Sequence, residues 1–298
     1  MTLFLNILAT SIRMAVPLGF ASIAGAISES AGIVALGLEG FMMIGAFTGV
    51  AGAHYSGSAW LGVLMAVIAS TLFALIFGVF CIRYKSNQVV AGVGMNVIAE
   101  GLVSVLMISI FGSKGKSEAV ASLKSIHIPV IKNIPVVGTI LSGYSGLMYI
   151  LILVMIVSWV VIYKTPIGIR LRATGINDLV VDSLGLRANV LKYFAVGISG
   201  ALAAMGGAFL SLSQLNFYSK GMVAGRGYIA LAIFVFAKKN PVFCVIISVL
   251  FGFTEAIQLR LQAFPIPSQF LSMLPYICTL IVLAFTILEG RGSRKQEA

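Results

Sequence analysis

Charge is what this sequence has least of. Only 10% of its 298 residues are Asp, Glu, Lys or Arg, 59% are hydrophobic, and the mean hydropathy is +1.07. A soluble globular domain carries about 25% charged residues, so this composition excludes a chain solvated on all sides. Cysteine is scarce too. Cys81, Cys244 and Cys278 lie in or beside apolar runs at spacings that match no metal or redox motif, which leaves ordinary buried packing. His54 and His127 are far apart, with no cysteine or carboxylate at ligand spacing, so no metal site is expected. Neither a Gly-x-Ser-x-Gly elbow nor an HExxH helix is present. GSKGKS (112–117) resembles the end of a phosphate loop, but Ile110 stands where its first glycine belongs. No enzyme and no cofactor are expected from these residues.

The net charge of +11 raises the question of nucleic acid. The basic residues sit at the ends of apolar runs rather than on one face, which excludes that reading. Four stretches carry no charge at all: 40–82, 145–163, 193–219 and 261–288. At 1.5 Å per residue, about 20 residues cross a bilayer core, and 40–82 would be about 64 Å long as one helix. It must hold more than one element, with HYSGS (54–58) as the turn. Lipid satisfies no backbone polar group, and the alternating segments of a β-barrel are missing. The fold class is therefore all-α, a polytopic transmembrane bundle in a single domain over 1–298. About eight to ten membrane segments are expected, some broken or re-entrant: 3–27, 31–53, 58–82, 88–111, 145–163, 192–213, a short 227–237, 241–259 and 269–288. MTLFLNILATSI has no basic leader region, and Arg13 interrupts it, so it reads as the start of the first span.

If the 164–191 loop is cytoplasmic, twelve basic residues fall inside and seven outside, a bias that places the C-terminus in the cytoplasm of a multi-pass membrane protein. GYIALAIFVFA (227–237) would reach only about 17 Å as a helix. Either it is half-length and shielded by protein, or it runs on as a full span through Lys238. GLEGFMMIGAF followed by a long apolar helix loosely parallels GRGYIALAIFVF followed by another, a possible weak internal repeat that glycine-rich composition could also produce.

Polar residues inside apolar helices are costly and usually face a bundle interior or a polar path. The candidates are Glu39, Asn96, Gln214 and Glu255; Glu100 and Gln258 belong to the same set, Glu100 nearer an interface. Glu39 lies between Gly37 and Gly40. Two readings stay open for it: acceptor for the exposed donors of a broken helix, or lining of a pathway. The loop KTPIGIRLRATGINDLVVDSLGLRANVLKY (164–193) is the most informative soluble stretch. Pro166 and Gly168 end the preceding helix, Asn177 or Asp178 caps a new one of about seven residues, and Gly185 stops it. So short a helix is unstable alone in water and needs a surface to dock on. Leu179, Val180 and Leu184 give it an apolar side, as a knob for a partner protein would have.

SESAGIVALGLEGFMMIGAF, GIRLRATGINDLVVDSLGL and GRGYIALAIFVFAKKNP…VLFGFTEAIQLRLQ together resemble the permease subunit of bacterial ABC importers of the ribose/branched-chain amino acid class. The likeness extends over about residues 10–290. Within the class they look most like the nucleoside (simple-sugar-like) permeases that work with a basic-membrane-protein-type binding lipoprotein. The resemblance implies a transport subunit in the cell membrane, forming the path for nucleosides or a related ribose-containing solute. It implies three protein partners: an ATP-binding subunit, often with tandem nucleotide-binding domains; a second permease, often a different chain; and the extracellular lipoprotein. It makes 175–185 the coupling helix, with Gly175, Asn177, Asp178, Leu179, Asp182 and Leu184 at the ATPase. Ala35 departs from the family, which usually has Asn there, and Lys238–Lys239 replace a common arginine–tryptophan pair. A simple sugar or autoinducer-type cargo remains an alternative, and so does an ion-coupled carrier using Glu39 or Glu255.

Overall fold

The computed structural model describes residues 2–126 and 144–262, together with positions 273 and 277. Apart from positions 273 and 277, the expected span 269–288 lies outside these, as do His127, Cys278 and the C-terminal basic residues, so the C-terminal orientation stays an expectation. Ten helices occur among the described residues: α1 (Thr2–Ser30), α2 (Leu38–Ser56), α3 (Ala59–Gly78), α4 (Gln88–Phe111), α5 (Gly146–Lys164), α6 (Pro166–Ile176), α7 (Asp178–Ser183), α8 (Ala188–Ala208), α9 (Arg226–Phe236) and α10 (Pro241–Leu261). Two wide π-turns extend them, Val79–Arg83 after α3 and Phe209–Leu215 after α8. Two-residue strands β1 (Ser125–Ile126) and β2 (Tyr144–Ser145) close the long loop. With these extensions, six helices among the described residues (α1, α3, α4, α5, α8 and α10) are long and apolar enough to cross a membrane. The chain is a multi-pass helical membrane protein.

Two sequence expectations are corrected in detail. Pro166 does not merely end a helix: at the first position of α6, where its missing N–H costs nothing, it starts one, and Thr165 caps it. The turn between α2 and α3 is tighter than 54–58, because α2 runs to Ser56 and only Gly57 and Ser58 intervene.

The half-length segment does occur. α9 has 11 residues, and α2 is also displaced, starting at Leu38 after an unwound strap, 31–37. Packing follows the suggested repeat. α1 lies against α10 and α9, while α8 lies against α3 and α2, so exchanging the two halves reproduces these contacts, but α2 packs on α3 far more extensively than α9 on α10. Each half holds a long helix, an unwound re-entry (31–37 or 216–225), a displaced helix and another long helix. The two displaced helices meet start to start: a methyl at Gly227 would lie 2.4 Å from the Glu39 backbone nitrogen.

In lipid, helices gain nothing from the hydrophobic effect against one another, so close backbone contact holds them. α8 crosses α2 so tightly that a methyl at Gly207 would stand 2.0 Å from the Met42 carbonyl oxygen. Gly207→Ala is expected to cost about 1–3 kcal/mol through overpacking. Gly94→Ala, facing open space, should leave stability unchanged. Thermal unfolding of both variants in detergent checks the pair; equal midpoints would remove this crossing from the account of stability.

Candidate functional site

The strap and the re-entry bring non-helical backbone to membrane depth, which is tolerated only where its polar groups find partners. They do. The Ser28 hydroxyl donates to the Ile33 carbonyl at 2.7 Å, and the Val34 N–H donates to Gln88 Oε1 at 2.8 Å. Asn96 donates to the Leu36 carbonyl at 3.1 Å and accepts from the Gly40 N–H at 2.8 Å. Asn96 lies two turns into α4, so α2 begins about 12 Å from the end of the bundle that carries α6 and α7.

Glu39 stands where the starts of α2 and α9 meet. Its carboxylate accepts from the Gly225 N–H at 2.9 Å and the Gly227 N–H at 2.7 Å. These are donors that the first turn of α9 leaves without helical partners. Each helix start carries about half a positive charge, and the Arg226 guanidinium adds a full one. Two carboxylates balance them: Glu39, and Glu255, whose Oε2 lies 3.1 Å from Arg226 Nη2. Glu39 and Glu255 thus serve one charge-balanced junction, in which Glu39 bonds residues 186 and 188 positions away in sequence and Glu255 pairs with an arginine 29 away. Arg226 is the member that sequence reasoning passed over, since beside an apolar run it read as a loop charge.

A cavity of about 310 Å³ opens beside this junction, lined by Glu39, Asn96, Glu100, Ser104, Lys220 and Tyr228 among others. Asn96, Glu100 and Ser104 recur at intervals of four and so share one face of α4, the least buried of the six spanning helices. Asn96 also donates to the Tyr228 hydroxyl at 2.9 Å, and Lys220 pairs loosely with Glu100 at 3.8 Å. Tyr218, on the re-entry, is buried and lines the same cavity. Glu100 therefore belongs with the cavity rather than with a lipid interface. Ser104, Lys220 and Tyr228 were missed, although the spacing of Asn96, Glu100 and Ser104 was legible.

Gln214 lies apart from this group. It sits in the π-turn after α8, donates to the Arg13 carbonyl at 3.4 Å and lines a second cavity behind the re-entry, with Arg226, Glu255 and Gln258. Ala35 is completely buried in the strap, so the departure from the resembled family falls there.

At the α7 end, Asn177 caps α7 by accepting from the Leu179 and Val180 N–H groups. The helix has six residues, and Gly185 follows at φ +77°. Asp178 is half-exposed and Asp182 exposed, and each also has a partner within the chain. Asp178 is bonded to the Lys192 ammonium, and Asp182 accepts from the Ala188 N–H at 2.9 Å, capping α8. Gly175 is similarly engaged: a methyl there would lie 2.4 Å from the Ser30 carbonyl oxygen. Large apolar side chains share this exposed surface, with Ile176 88%, Leu179 79% and Leu184 72% exposed. Ile176, unmarked by any periodicity, is the residue that the sequence reading missed.

Residues 7–283 match the family described as "Branched-chain amino acid transport system / permease component". Among curated proteins the chain is 35% identical over 289 residues to the nucleoside ABC transporter permease protein NupC of Lactococcus lactis subsp. cremoris, covering 93% of this chain and 91% of that one. It is 32% identical over 291 residues to the guanosine ABC transporter permease protein NupQ of Bacillus subtilis, covering 93% and 90%. TsgC13 of Haloferax volcanii, assigned to glucose, is 29% identical over 97% of this chain and 94% of its own. Among solved structures, an inward-facing ABC transporter assigned to the metal-chelate type superposes with a TM-score of 0.53 at 14% identity, over 92% of this chain and 85% of that one; that likeness concerns the fold.

Proposed function

The chain belongs to the family of branched-chain amino acid transport system permease components, and from that premise we propose that it forms one wall of the path of an ATP-driven importer of nucleosides. One observation carries the reading of the path. Asn96, Glu100 and Ser104 lie along the least buried spanning helix and open on a cavity. A carboxylate at membrane depth cannot face lipid at such exposure, and it calls for a water-filled space that a second permease completes. The nucleoside cargo rests on the relatives NupC and NupQ. The amides, hydroxyls and carboxylate around the cavity can exchange hydrogen bonds with a sugar and a base, without the tight grip that would stall release.

ATP hydrolysis belongs to a separate subunit in this reading, docked on Ile176, Leu179, Val180 and Leu184, with a binding protein delivering cargo at the opposite end. Arg83, Lys85, Lys164, Arg170, Arg172 and Lys192 gather at or near the α7 end, as the cytoplasmic side of a membrane protein requires. The ion-coupled alternative is disfavoured, because the Glu39 oxygens already accept from two N–H groups and Glu255 is paired with Arg226. A sugar cargo keeps support from TsgC13.

Uptake of labelled guanosine by cells dependent on this chain tests the proposal. ATP-dependent uptake, reduced about tenfold or more by Glu100→Leu at unchanged protein yield and insensitive to glucose, is expected. That factor corresponds to about 1.4 kcal/mol. Competition by glucose and not by nucleosides would move the cargo to sugars, and uptake persisting after ATP depletion would remove the importer.

A further inference from the structure

The stripe on α4 does not begin at the cavity. Gln88 and Gly92 continue it backwards at the same interval of four, below Asn96, Glu100 and Ser104. The upper part faces the cavity; the lower part grips the strap. Gln88 holds it from both sides, accepting from the Val34 N–H at 2.8 Å and donating to the Gly32 carbonyl at 3.2 Å. At Gly92 the contact is backbone against backbone: a methyl would lie 2.5 Å from Leu36 Cβ and 3.1 Å from the Gly37 nitrogen. Asn96 completes the grip through Leu36 and Gly40.

The other end of the strap abuts the apolar knob. A methyl on Gly32, at φ +85°, would stand 3.2 Å from Gly175 Cα, and a methyl on Gly175 would stand 3.1 Å from the Gly32 nitrogen. Ile176, the first residue of the knob, follows Gly175 directly. No side chain intervenes to absorb a displacement, since closely packed backbone yields little. A shift of the knob therefore presses on Gly32, and the strap passes it to α4 and to Glu39.

We infer that the strap 31–37 transmits movement of the ATPase-docking knob to the cavity wall, and that Gln88 is the positioning residue that couples the two. This rests on the docking reading given under Proposed function. Gln88 itself lies outside the cavity formed by Asn96, Glu100 and their neighbours, so its effect on transport must pass through the strap.

The test uses the whole transporter in proteoliposomes: this chain with the ATPase and second permease that co-purify with it, and the binding protein. Guanosine uptake, ATP hydrolysis and bound ATPase are measured together for the wild type, Gln88→Leu and Gln88→Glu. Leu removes both hydrogen bonds at similar volume; Glu keeps an acceptor for Val34 and sets a second oxygen against the Gly32 carbonyl. The expected result is wild-type ATPase binding and continued hydrolysis, with uptake per ATP lowered at least tenfold in Gln88→Leu and lowered in Gln88→Glu. Should Gln88→Leu fail to fold, by yield and thermal midpoint, Gln88→Glu alone decides. An unchanged ratio in a folded variant, or uptake and hydrolysis falling in parallel, overturns the coupling role and leaves Gln88 as a structural brace. If the wild-type chain brings down no ATPase, the docking reading falls first and the coupling role with it, so the two failures look different.

Discussion

Leu184→Asp is expected to abolish capture of the ATPase while the membrane bundle stays folded. Leu184 is 72% exposed and ends α7, so the free chain loses no packing when it changes. In a docked complex, its burial would supply about 1.5–3 kcal/mol. The variant forfeits that and must also bury a carboxylate, so a loss of roughly 100-fold or more in affinity follows at 1.4 kcal/mol per tenfold. Leu179→Asp should behave alike. Asp178→Arg acts differently, because Asp178 is bonded to Lys192 within the chain: it unsettles the base of the knob as well as reversing a half-exposed charge. Pull-down from native membranes in mild detergent reads the outcome. Undiminished ATPase with both leucine variants would remove the knob from the interface.

Glu39→Ala is expected to destabilise the bundle itself. The substitution strands the Gly225 and Gly227 N–H groups and leaves Arg226 with two facing helix starts opposed only by Glu255. Removing one member of a buried charge pair costs about 3–5 kcal/mol, a large part of the stability a domain possesses. Most of the variant should fail to accumulate in the membrane. Glu39→Gln retains one carbonyl acceptor, so it should accumulate to an intermediate level and keep part of the uptake. Membrane yield and thermal midpoint distinguish this from a purely path-lining role, in which Glu39→Ala would accumulate normally and transport nothing.

Composition and spacing decided a good deal. A chain with 10% charge and four long uncharged runs can fold only in lipid, and helix rise then fixes where the spans fall. The knob was legible because capping and length are local properties: Asn177, the short apolar run and Gly185 can be read in order along the chain. The 11-residue α9 was legible for the same reason, bounded by Arg226 and Lys238. Likewise, Glu39 announced itself as a charge that lipid would not accept.

What Glu39 binds lay beyond the sequence. Its partners are 186 and 188 residues away, and nothing in the periodicity of either segment specifies that two helix starts meet. The same holds for Arg226, which becomes a buried partner only because α10 brings Glu255 beside it, and for Gly175, which packs against the backbone of Ser30 and Gly32. Asp178 and Asp182 find bonds at Lys192 and the start of α8, while Ile176 and the leucines beside them make the exposed surface largely apolar. The sequence by itself determined the solvent, the spans and the marginal helix, since transfer energy, helix rise and capping act over a few neighbouring residues. The tertiary structure alone decided which polar groups satisfy one another, because in a medium without water each buried donor must find its acceptor wherever the packing brings one.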